Sequence, residues 1–302
     1  MAPVDTGGNS GRVDVGMIVA LYQAANRRAE SVCKAMMSGI AQSGQCNVLY
    51  LFQDDYEEPI PTADVVVTYG LGGNGMKLLK EYRKAGKGTV FVDLPYWGRK
   101  GEQPDGTYHR FSVNGYQPTH YFRKTSRAPD RFEKFGRHVL AWGAWHQNVY
   151  GEILVAGMSE KASQVWGLGS ATEHARSLVK LAQRYSTRPI AYRPKPSWAD
   201  AEPIPGTRYA TGDLKQNLMR TSCVLTYRSN VAVDALLAGV PVCVVGDHPA
   251  SVMGRTDARD LERPIYPDDR LSFFSDLAYC QYSIGEMRDG TAWNYLLSLG
   301  LF

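Results

Sequence analysis

The residues best suited to chemistry in this sequence form a polar turn that opens a short predicted helix. A predicted strand ends at Thr226, and Arg228, Ser229 and Asn230 lead into a helix predicted over Val231–Ala238. Serine and asparagine are helix-capping residues, and the free N–H groups at a helix N-terminus form a binding site for anions such as a diphosphate. Arg228 adds a fixed positive charge. This turn therefore predicts an anion-binding site.

Asp234 extends this site from the anion to a nucleotide. It lies one helical turn after Asn230 on the same predicted face, where its carboxylate can accept hydrogen bonds from the paired hydroxyls of a ribose. The Gly239-Val240-Pro241 turn ends the helix before the next strand. The alternative interpretation is a buried strand–helix unit in which the polar residues only cap the helix.

Other polar residues follow predicted strands in the same half of the chain. Arg193 and Lys195 alternate with prolines, which hold the segment extended so that both cations project together. Ser159 and Lys161 follow another strand, and His248 follows a third. We expect these residues to meet the phosphates or sugar of the same ligand, although a lone histidine is also common as a structural residue.

Asp93 is the candidate general base. It follows the predicted strand Thr89–Val92, and a carboxylate at the end of a strand, facing a cleft, can take the proton from an attacking hydroxyl. The alternative is that Asp93 forms an ion pair with Arg99 in an ordered turn.

The residues around Asp93 suggest how an acceptor molecule binds. Tyr96 and Trp97 have flat faces for a sugar or a nucleobase, and the amide of Asn114 can read the edge of a base. Arg99 and Tyr116 complete the predicted acceptor-binding set.

Short apolar strands alternate with helical patterns along the whole chain. This pattern is typical of an α/β protein with parallel sheets covered on both faces. Predicted strands are Val13–Leu21, Asn47–Phe52, Asp64–Tyr69, Thr89–Val92, Tyr108–Val113, Ile153–Ala156, Pro189–Arg193, Cys223–Thr226 and Val240–Val245. Predicted helices are Gln23–Ser43, a helix ending near Lys84, Ser170–Tyr185, Asp213–Met219, Val231–Ala238, Arg270–Arg288 and Thr291–Leu299.

The alternation occurs twice and predicts two facing Rossmann-like domains. We place an acceptor-binding domain at residues 1–145 and a nucleotide-sugar-binding domain at residues 146–302. The final predicted helices are long enough to pack back across the boundary. Ligands of open parallel sheets bind beyond the carboxyl ends of the strands, so the expected site is the cleft between the two sheets.

Composition excludes several classes of protein. The chain has 302 residues, of which 44% are hydrophobic and 21% charged, and its five cysteines are widely spaced without a CxxC motif. This argues against a disulfide framework and a structural zinc site and favours the cytoplasm. The apolar segments are shorter than a membrane span, and residues 1–10 are polar, without a signal-peptide core. Since no DxD carboxylate pair sits at the end of a strand, and Asp54-Asp55 lies in an acidic loop typical of a solvated turn, we expect no metal.

Positive charge is concentrated in one segment. Residues 76–137 contain 14 Lys/Arg and 6 Asp/Glu, a net charge of +8, so the rest of the chain sums to −4 against the total of +4. The segment also holds 11 aromatic residues. Interleaved basic and aromatic residues are typical of nucleic-acid binding, but they also occur on an ordinary solvated face.

The segment from Tyr227 to Val242 resembles the donor-binding segment of GT-B glycosyltransferases. Those enzymes carry an acid on the helix before an A-x-x-A-G-x-P-V sequence, which corresponds here to Asp234 and to the run from Ala235 to Val242. The segment Tyr192–Pro196 is similar to the Y-R-x-H/K-P sequence of capsule-polysaccharide-type transferases. The resemblance implies a UDP-sugar co-substrate and no tightly bound cofactor.

Further segments resemble phage-encoded glycosyltransferases that act on hydroxymethylated pyrimidines in DNA. They are Tyr96-Trp97, Tyr108–Tyr116, Leu277–Tyr282 and Ala292-Trp293. This resemblance implies transfer of glucose to a flipped-out base near Asp93, with the basic segment on the DNA backbone and the protein in the cytoplasm of the host cell. With Asp93 as base, the reaction inverts the anomeric carbon.

Three alternatives stay open at this level. The acceptor is a polysaccharide or another glycan instead of DNA; the protein is a nucleotide-sugar epimerase on the same scaffold; or it is a non-catalytic DNA-binding protein. The chemically suitable Arg228, Ser229 and Asp234 argue against a site that has lost its activity. The oligomeric state is not predicted.

Overall fold

The computed structural model describes residues 16–99, 104–123, 128–143 and 151–302. Its first half contains β1 (Met17–Gln23), α1 (Arg27–Gln42), β2 (Cys46–Phe52), β3 (Val65–Tyr69), α2 (Gly75–Lys84), β4 (Gly88–Asp93), β5 (Tyr108–Val113) and α3 (Asp130–Glu133). The polar residues 1–10 lie outside the described residues.

The second half repeats the alternation of strands and helices. It contains β6 (Glu152–Ala156), α4 (Glu160–Val165), α5 (Ala171–Tyr185), β7 (Ile190–Arg193), β8 (Arg208–Tyr209), α6 (Leu214–Leu218), β9 (Thr221–Tyr227), α7 (Val231–Leu237) and β10 (Val242–Val245). The chain then forms α8 (Arg270–Ala278), β11 (Gln281–Ser283), α9 (Ile284–Arg288) and α10 (Thr291–Ser298).

The strands form two separate sheets. The first has the order β11-β5-β4-β3-β1-β2, and β1 to β4 are parallel within it. The second has the order β10-β9-β6-β7-β8 and is parallel throughout. Their central strands, such as β3 and β7, are buried along their whole length, as expected for sheets covered on both faces. The predicted fold class, with two Rossmann-like domains, is confirmed.

Helix α1 begins four residues later than predicted because Asn26 caps it. The side chain of Asn26 accepts a hydrogen bond from the backbone N–H of Ala29 at 2.9 Å, which satisfies a free donor of the first turn. The residues before Asn26 continue from strand β1, whose last residue is Gln23.

One long predicted helix was wrong. Instead of a helix over Arg270–Arg288, α8 ends at Ala278, and β11 pairs antiparallel with β5 before α9 begins. Ser283 and Glu286 form a capping box at the start of α9, and this spacing was a readable sign of a helix start. The partner for β11 is far away in the sequence, so the helical pattern alone did not reveal the strand.

The chain end packs on the first half of the molecule, as predicted for the last helices. Gly39 of α1 lies so close to α9 that a Cβ atom there would be 1.9 Å from the carbonyl oxygen of Met287. Ser38 and Gln42 also donate hydrogen bonds to the carbonyl of Arg288. The predicted boundary between residues 145 and 146 lies outside the described residues, so the domain limits stay a prediction.

In the part of the chain that the structure describes, no helix combines the length and apolar character needed to cross a membrane.

Candidate active site

A cavity of about 390 Å³ lies between the two sheets and takes its walls from both halves of the chain. It lies beyond the carboxyl ends of the strands, where parallel sheets bind ligands. The sequence-predicted residues that line it are Asp93, Arg99, Tyr116, Arg193, Lys195, Arg228, Ser229, Asn230 and Asp234. Its lining also includes three residues that bear on its chemistry and that the sequence did not single out, Arg110, Gln117 and Trp166.

The turn before α7 is only partly capped as predicted. The hydroxyl of Ser229 accepts from the backbone N–H of Val231 at 3.4 Å, so Ser229 is the capping side chain. Asn230 occupies the cap position but makes no capping hydrogen bond. Its Oδ1 instead accepts from Arg110 at 3.4 Å, which links the α7 turn to the other sheet.

Arg228 has a strained backbone and a stacked side chain. Its φ is +52°, a left-handed conformation that non-glycine residues rarely adopt. Its guanidinium lies 4.3 Å from the ring centre of Trp166. Among the described residues its Nε finds no hydrogen-bond partner. Strain of this kind persists where the surroundings impose it, often at functional sites.

Asp234 lines the cavity below this turn. Burial raises its pKa from 3.8 to about 6, against the opposing charges of Arg99 and Arg137. The carboxylate is therefore mostly ionised at neutral pH and becomes mostly protonated near pH 5.

The raised pKa of Asp234 predicts a pH-dependent affinity for a ligand that donates hydrogen bonds to the carboxylate. Because protonation removes acceptor sites, we expect the affinity for an intact nucleotide sugar to fall about 10-fold between pH 7 and pH 5. Titration calorimetry at both pH values measures this. Asp234→Asn should bind weakly at both pH values, and an equal pH dependence in that variant would contradict the assignment.

The same shift has a consequence for stability with a defined sign. A carboxyl whose pKa is raised on folding contributes stability that is present at low pH and is lost as the pH rises through about 6. Asp234→Asn should therefore raise the melting temperature at pH 7 and leave it nearly unchanged at pH 4. Because Asp234→Asn should be more stable than the wild type at pH 7, weaker ligand binding by this variant would not be caused by unfolding.

Arg193 and Lys195 enter the cavity from the end of β7. Arg193 is buried, and its guanidinium donates to the carbonyls of Ala210 at 3.3 Å and Gly212 at 2.9 Å. Burial also lowers the pKa of Lys195, an effect that Asp93 opposes and Arg99 reinforces. Lys195 thus lies within electrostatic reach of the candidate base in the other half of the molecule.

Asp93 is paired with Arg110, and the alternative pairing with Arg99 is not observed. The two residues face each other on β4 and β5, and Nη2 of Arg110 donates to Oδ2 of Asp93 at 3.1 Å. The Arg110 side chain is 4% exposed and that of Asp93 25% exposed, so the carboxylate still reaches the cavity. A charge-assisted hydrogen bond of this kind fixes the carboxylate in one orientation.

The loop after Asp93 is held by the end of the chain. Gln281 of β11 is the other neighbour of Arg110 in the sheet. Its Oε1 accepts from the backbone N–H groups of Tyr96 at 3.0 Å and Trp97 at 3.4 Å. The unpredicted strand β11 therefore supports the candidate base.

The structure corrects the prediction that Tyr96 and Trp97 form a binding surface. Both are buried, with 7% and 3% of their surface exposed, and neither lines the cavity. Trp97 packs among aromatic rings, including Phe132 and Phe274. Tyr96 packs beside Arg110 and donates its hydroxyl to Gln117. Their apolar area serves the core instead of a ligand.

Asn114 also has a different role from the predicted one. Its Oδ1 accepts from the backbone N–H of Thr89, and its Nδ2 donates to the carbonyl of Leu301. With its amide engaged by backbone groups and its φ at +53°, it terminates β5 and does not line the cavity. Tyr116 does line the cavity. Its ring meets that of Trp166 edge-on, with the two ring centres 4.9 Å apart.

Three predicted donor-binding residues do not line the cavity. Ser159 caps α4 by accepting from the N–H of Ala162. The Lys161 ammonium lies against Gly72, where it would be 2.4 Å from an added Cβ. His248 is fully buried, and its Nδ1 accepts from the N–H of Ala250. Burial, together with Arg110 and Arg228, lowers the pKa of His248 to about 3, so it is a neutral structural residue.

Sequence reasoning missed Arg110 and Trp166. Arg110 lies in a strand of otherwise buried residues, and a charged residue inside such a strand was a sign that it has a partner. Trp166 follows α4 and carried no signal of its own, because its role comes from Arg228, which lies over its ring, and from Tyr116, which meets it edge-on.

The basic segment at residues 76–137 does not present all its charges to solvent. Arg110 and Arg131 are buried. Some of its other cations form ion pairs with acids outside the segment, namely Lys77–Glu58, Lys87–Asp64 and Arg123–Asp269. Since a phosphate must compete with these carboxylates, the net charge overstates the attraction for a polyanion.

Among the described residues, no cluster of three or more histidine, cysteine or acidic side chains is arranged to hold a metal ion.

No protein-family model matches the chain, and no curated protein matches it. Solved structures do. A β-Kdo 2,4 transferase of KpsC from Thermosulfurimonas dismutans superposes with a TM-score of 0.51 at 12% identity, over 88% of this chain and 91% of that one. The β-Kdo 2,7 transferase of KpsC from the same organism superposes with a TM-score of 0.51 at 12% identity, over 92% of this chain and 99% of that one. The chain therefore has the GT-B fold, with two facing Rossmann-like domains and the cleft between them.

Proposed function

We propose that this protein is a glycosyltransferase that moves a sugar from a nucleotide-sugar donor to an acceptor hydroxyl. One observation carries the proposal: the carboxylate of Asp93 faces a cluster of cations and the acid Asp234 across a single cavity between the two sheets. A base on one side and an anion-binding wall on the other are what sugar transfer from a phosphate leaving group needs.

The second half of the molecule supplies the donor side. Arg193, Lys195 and Arg228 line the cavity around the start of α7 and suit the charge of a diphosphate. Asp234 suits the ribose hydroxyls. Met158, Pro196 and Leu214 give this part of the lining apolar surface that suits a nucleobase. UDP is the nucleotide that the donor segment's resemblance implies, and glucose is the first sugar to test.

The chemistry follows from this arrangement. The acceptor oxygen attacks the anomeric carbon while Asp93 takes its proton, and the bond from that carbon to the phosphate oxygen breaks with its electron pair on the phosphate. Lys195 and Arg228 stabilise the charge on the leaving diphosphate, and the transition state has oxocarbenium character. Direct displacement inverts the anomeric carbon.

For the acceptor we propose the hydroxymethyl group of a modified pyrimidine in DNA. Arg99 and Tyr116 at the cavity, together with the charge of the basic segment, support this assignment. A glycan hydroxyl is the second candidate. The burial of Arg110 and Arg131 and the ion pairs of Lys77 and Arg123 favour it, because they weaken the attraction for DNA.

The deciding experiment incubates the protein with UDP-glucose and duplex DNA containing 5-hydroxymethylcytosine, followed by mass spectrometry of the nucleosides. An added hexose mass supports both parts of the proposal. If a panel of nucleotide sugars with 5-hydroxymethylcytosine and 5-hydroxymethyluracil DNA gives no product, while a glycan panel does, the DNA acceptor is wrong and the glycosyltransferase assignment holds. A sugar rearranged without any acceptor would indicate an epimerase.

A further inference from the structure

We infer that Arg110 is a positioning residue that couples the candidate base to the donor-binding helix. This inference rests on the proposed function. Arg110 lies in the first sheet, and its guanidinium contacts both Asp93 and Asn230, which belong to opposite sides of the cleft. No motif in the sequence assigns it a role.

The geometry of Arg110 sets up this coupling. Its Nη2 donates to Asp93, and its Nη1 donates to Gln117 at 3.0 Å and to Asn230 at 3.4 Å. The planar fork of a guanidinium holds these contacts at fixed angles. A shift of the α7 turn is therefore transmitted to the carboxylate of Asp93.

The surroundings prevent Arg110 from relaxing independently. The side chain is 4% exposed, and its guanidinium lies 5.5 Å from the ring centre of Tyr96. Its backbone is paired on both sides, with Asp93 on β4 and with Gln281 on β11. Gln281 in turn holds the loop after Asp93 through the N–H groups of Tyr96 and Trp97. The guanidinium thus lies in a rigid frame, and Asn230 is its hydrogen-bond partner from the turn before α7.

Donor binding and the orientation of the candidate base therefore both depend on Arg110. Donor binding at the α7 turn orders Asn230, which fixes Arg110 and thereby the direction in which the Asp93 carboxylate points. Arg110 acts through these two residues, so its removal should add little once either partner is gone.

A double-mutant cycle tests this coupling. Arg110→Gln should lower kcat about 100-fold in the wild-type background and less than about 3-fold in an Asp93→Asn background. In calorimetry with UDP, Arg110→Gln and Asn230→Ala should each raise Kd several-fold, and the double variant should equal the single ones. Multiplicative effects in both cycles would overturn the inference.

Two further variants separate positioning from folding. Arg110→Lys keeps the charge beside Asp93 but lacks the fork, so it should recover part of kcat while Kd for UDP stays as weak as in Arg110→Gln. Arg208→Gln removes an arginine from an ion pair with Glu152 that does not line the cavity, and it should lower only the melting temperature. A kcat of Arg208→Gln that falls as far as that of Arg110→Gln would mean that loss of stability explains both.

The test also distinguishes failure of the inference from failure of the proposed function. If the wild type neither binds nor turns over any donor of the panel, the proposed function is wrong. The coupling is then tested by measuring the free energy of unfolding of the same single and double variants. If each double variant loses less stability than the sum of its two single variants, Arg110 is coupled to Asp93 and to Asn230. If the losses simply add, the inference is overturned.

Discussion

Replacing Asp93 with asparagine is expected to lower kcat about 1,000-fold while the affinity for the donor changes less than about 2-fold. Asparagine keeps the shape of the side chain and can still accept the hydrogen bond from Arg110, but it cannot take a proton. Because Asp93 belongs to the first sheet, the change leaves the proposed donor-binding wall around Arg228 and Asp234 intact. Steady-state kinetics and calorimetry with UDP measure the two quantities separately.

A matched control exists for this variant. Asp54 lies just after β2 and Asp93 is the last residue of β4, but Asp54 is exposed and does not line the cavity. Asp54→Asn should leave kcat unchanged. If Asp93→Asn also retained more than about a tenth of the wild-type kcat, Asp93 would not be the base.

Replacing Arg228 with alanine is expected to raise KM for the donor about 100-fold. The change removes a cation beside the turn that we propose binds the diphosphate, and with it the group stacked on Trp166. Arg228→Lys should recover only part of the loss, since an ammonium neither stacks nor forks in the same way. Initial rates at varied donor concentration provide the measurement.

The backbone of Arg228 offers an unusual control. With φ at +52°, glycine relieves strain at this position, so Arg228→Gly should melt no lower than the wild type. It should nevertheless bind the donor as weakly as Arg228→Ala. Arg176→Ala, an exposed change on α5, should alter neither property. Normal donor affinity in Arg228→Gly would show that the Arg228 side chain does not bind the donor.

Much of the second half could be predicted because its signals are local. The helix α7, its polar turn and the Pro-rich segment after β7 lie where the sequence places them, and Asp234 and Lys195 line the cavity as expected. Strand ends, capping residues and glycine turns are determined by neighbours a few residues away. Their positions could therefore be read without knowledge of distant contacts.

The predictions failed where a residue's role depends on a distant partner. Tyr96, Trp97 and Asn114 follow strands and carry suitable side chains, yet the aromatic core and the backbone of Thr89 and Leu301 engage them. His248 has suitable chemistry but is buried. Nothing within a few residues distinguishes an aromatic ring that faces a ligand from one that packs against a remote helix.

The sequence by itself determined the alternation of strands and helices, the two-sheet fold and the polar turns that follow the strands, because these arise from local periodicity and backbone preferences. Only the tertiary structure decided that Arg110 pairs with Asp93 and reaches Asn230, and that β11 returns to support them. Arg110 and Asn230 are 120 positions apart, and Tyr96 and Gln281 are 185 positions apart, so these hydrogen bonds depend on how distant elements pack.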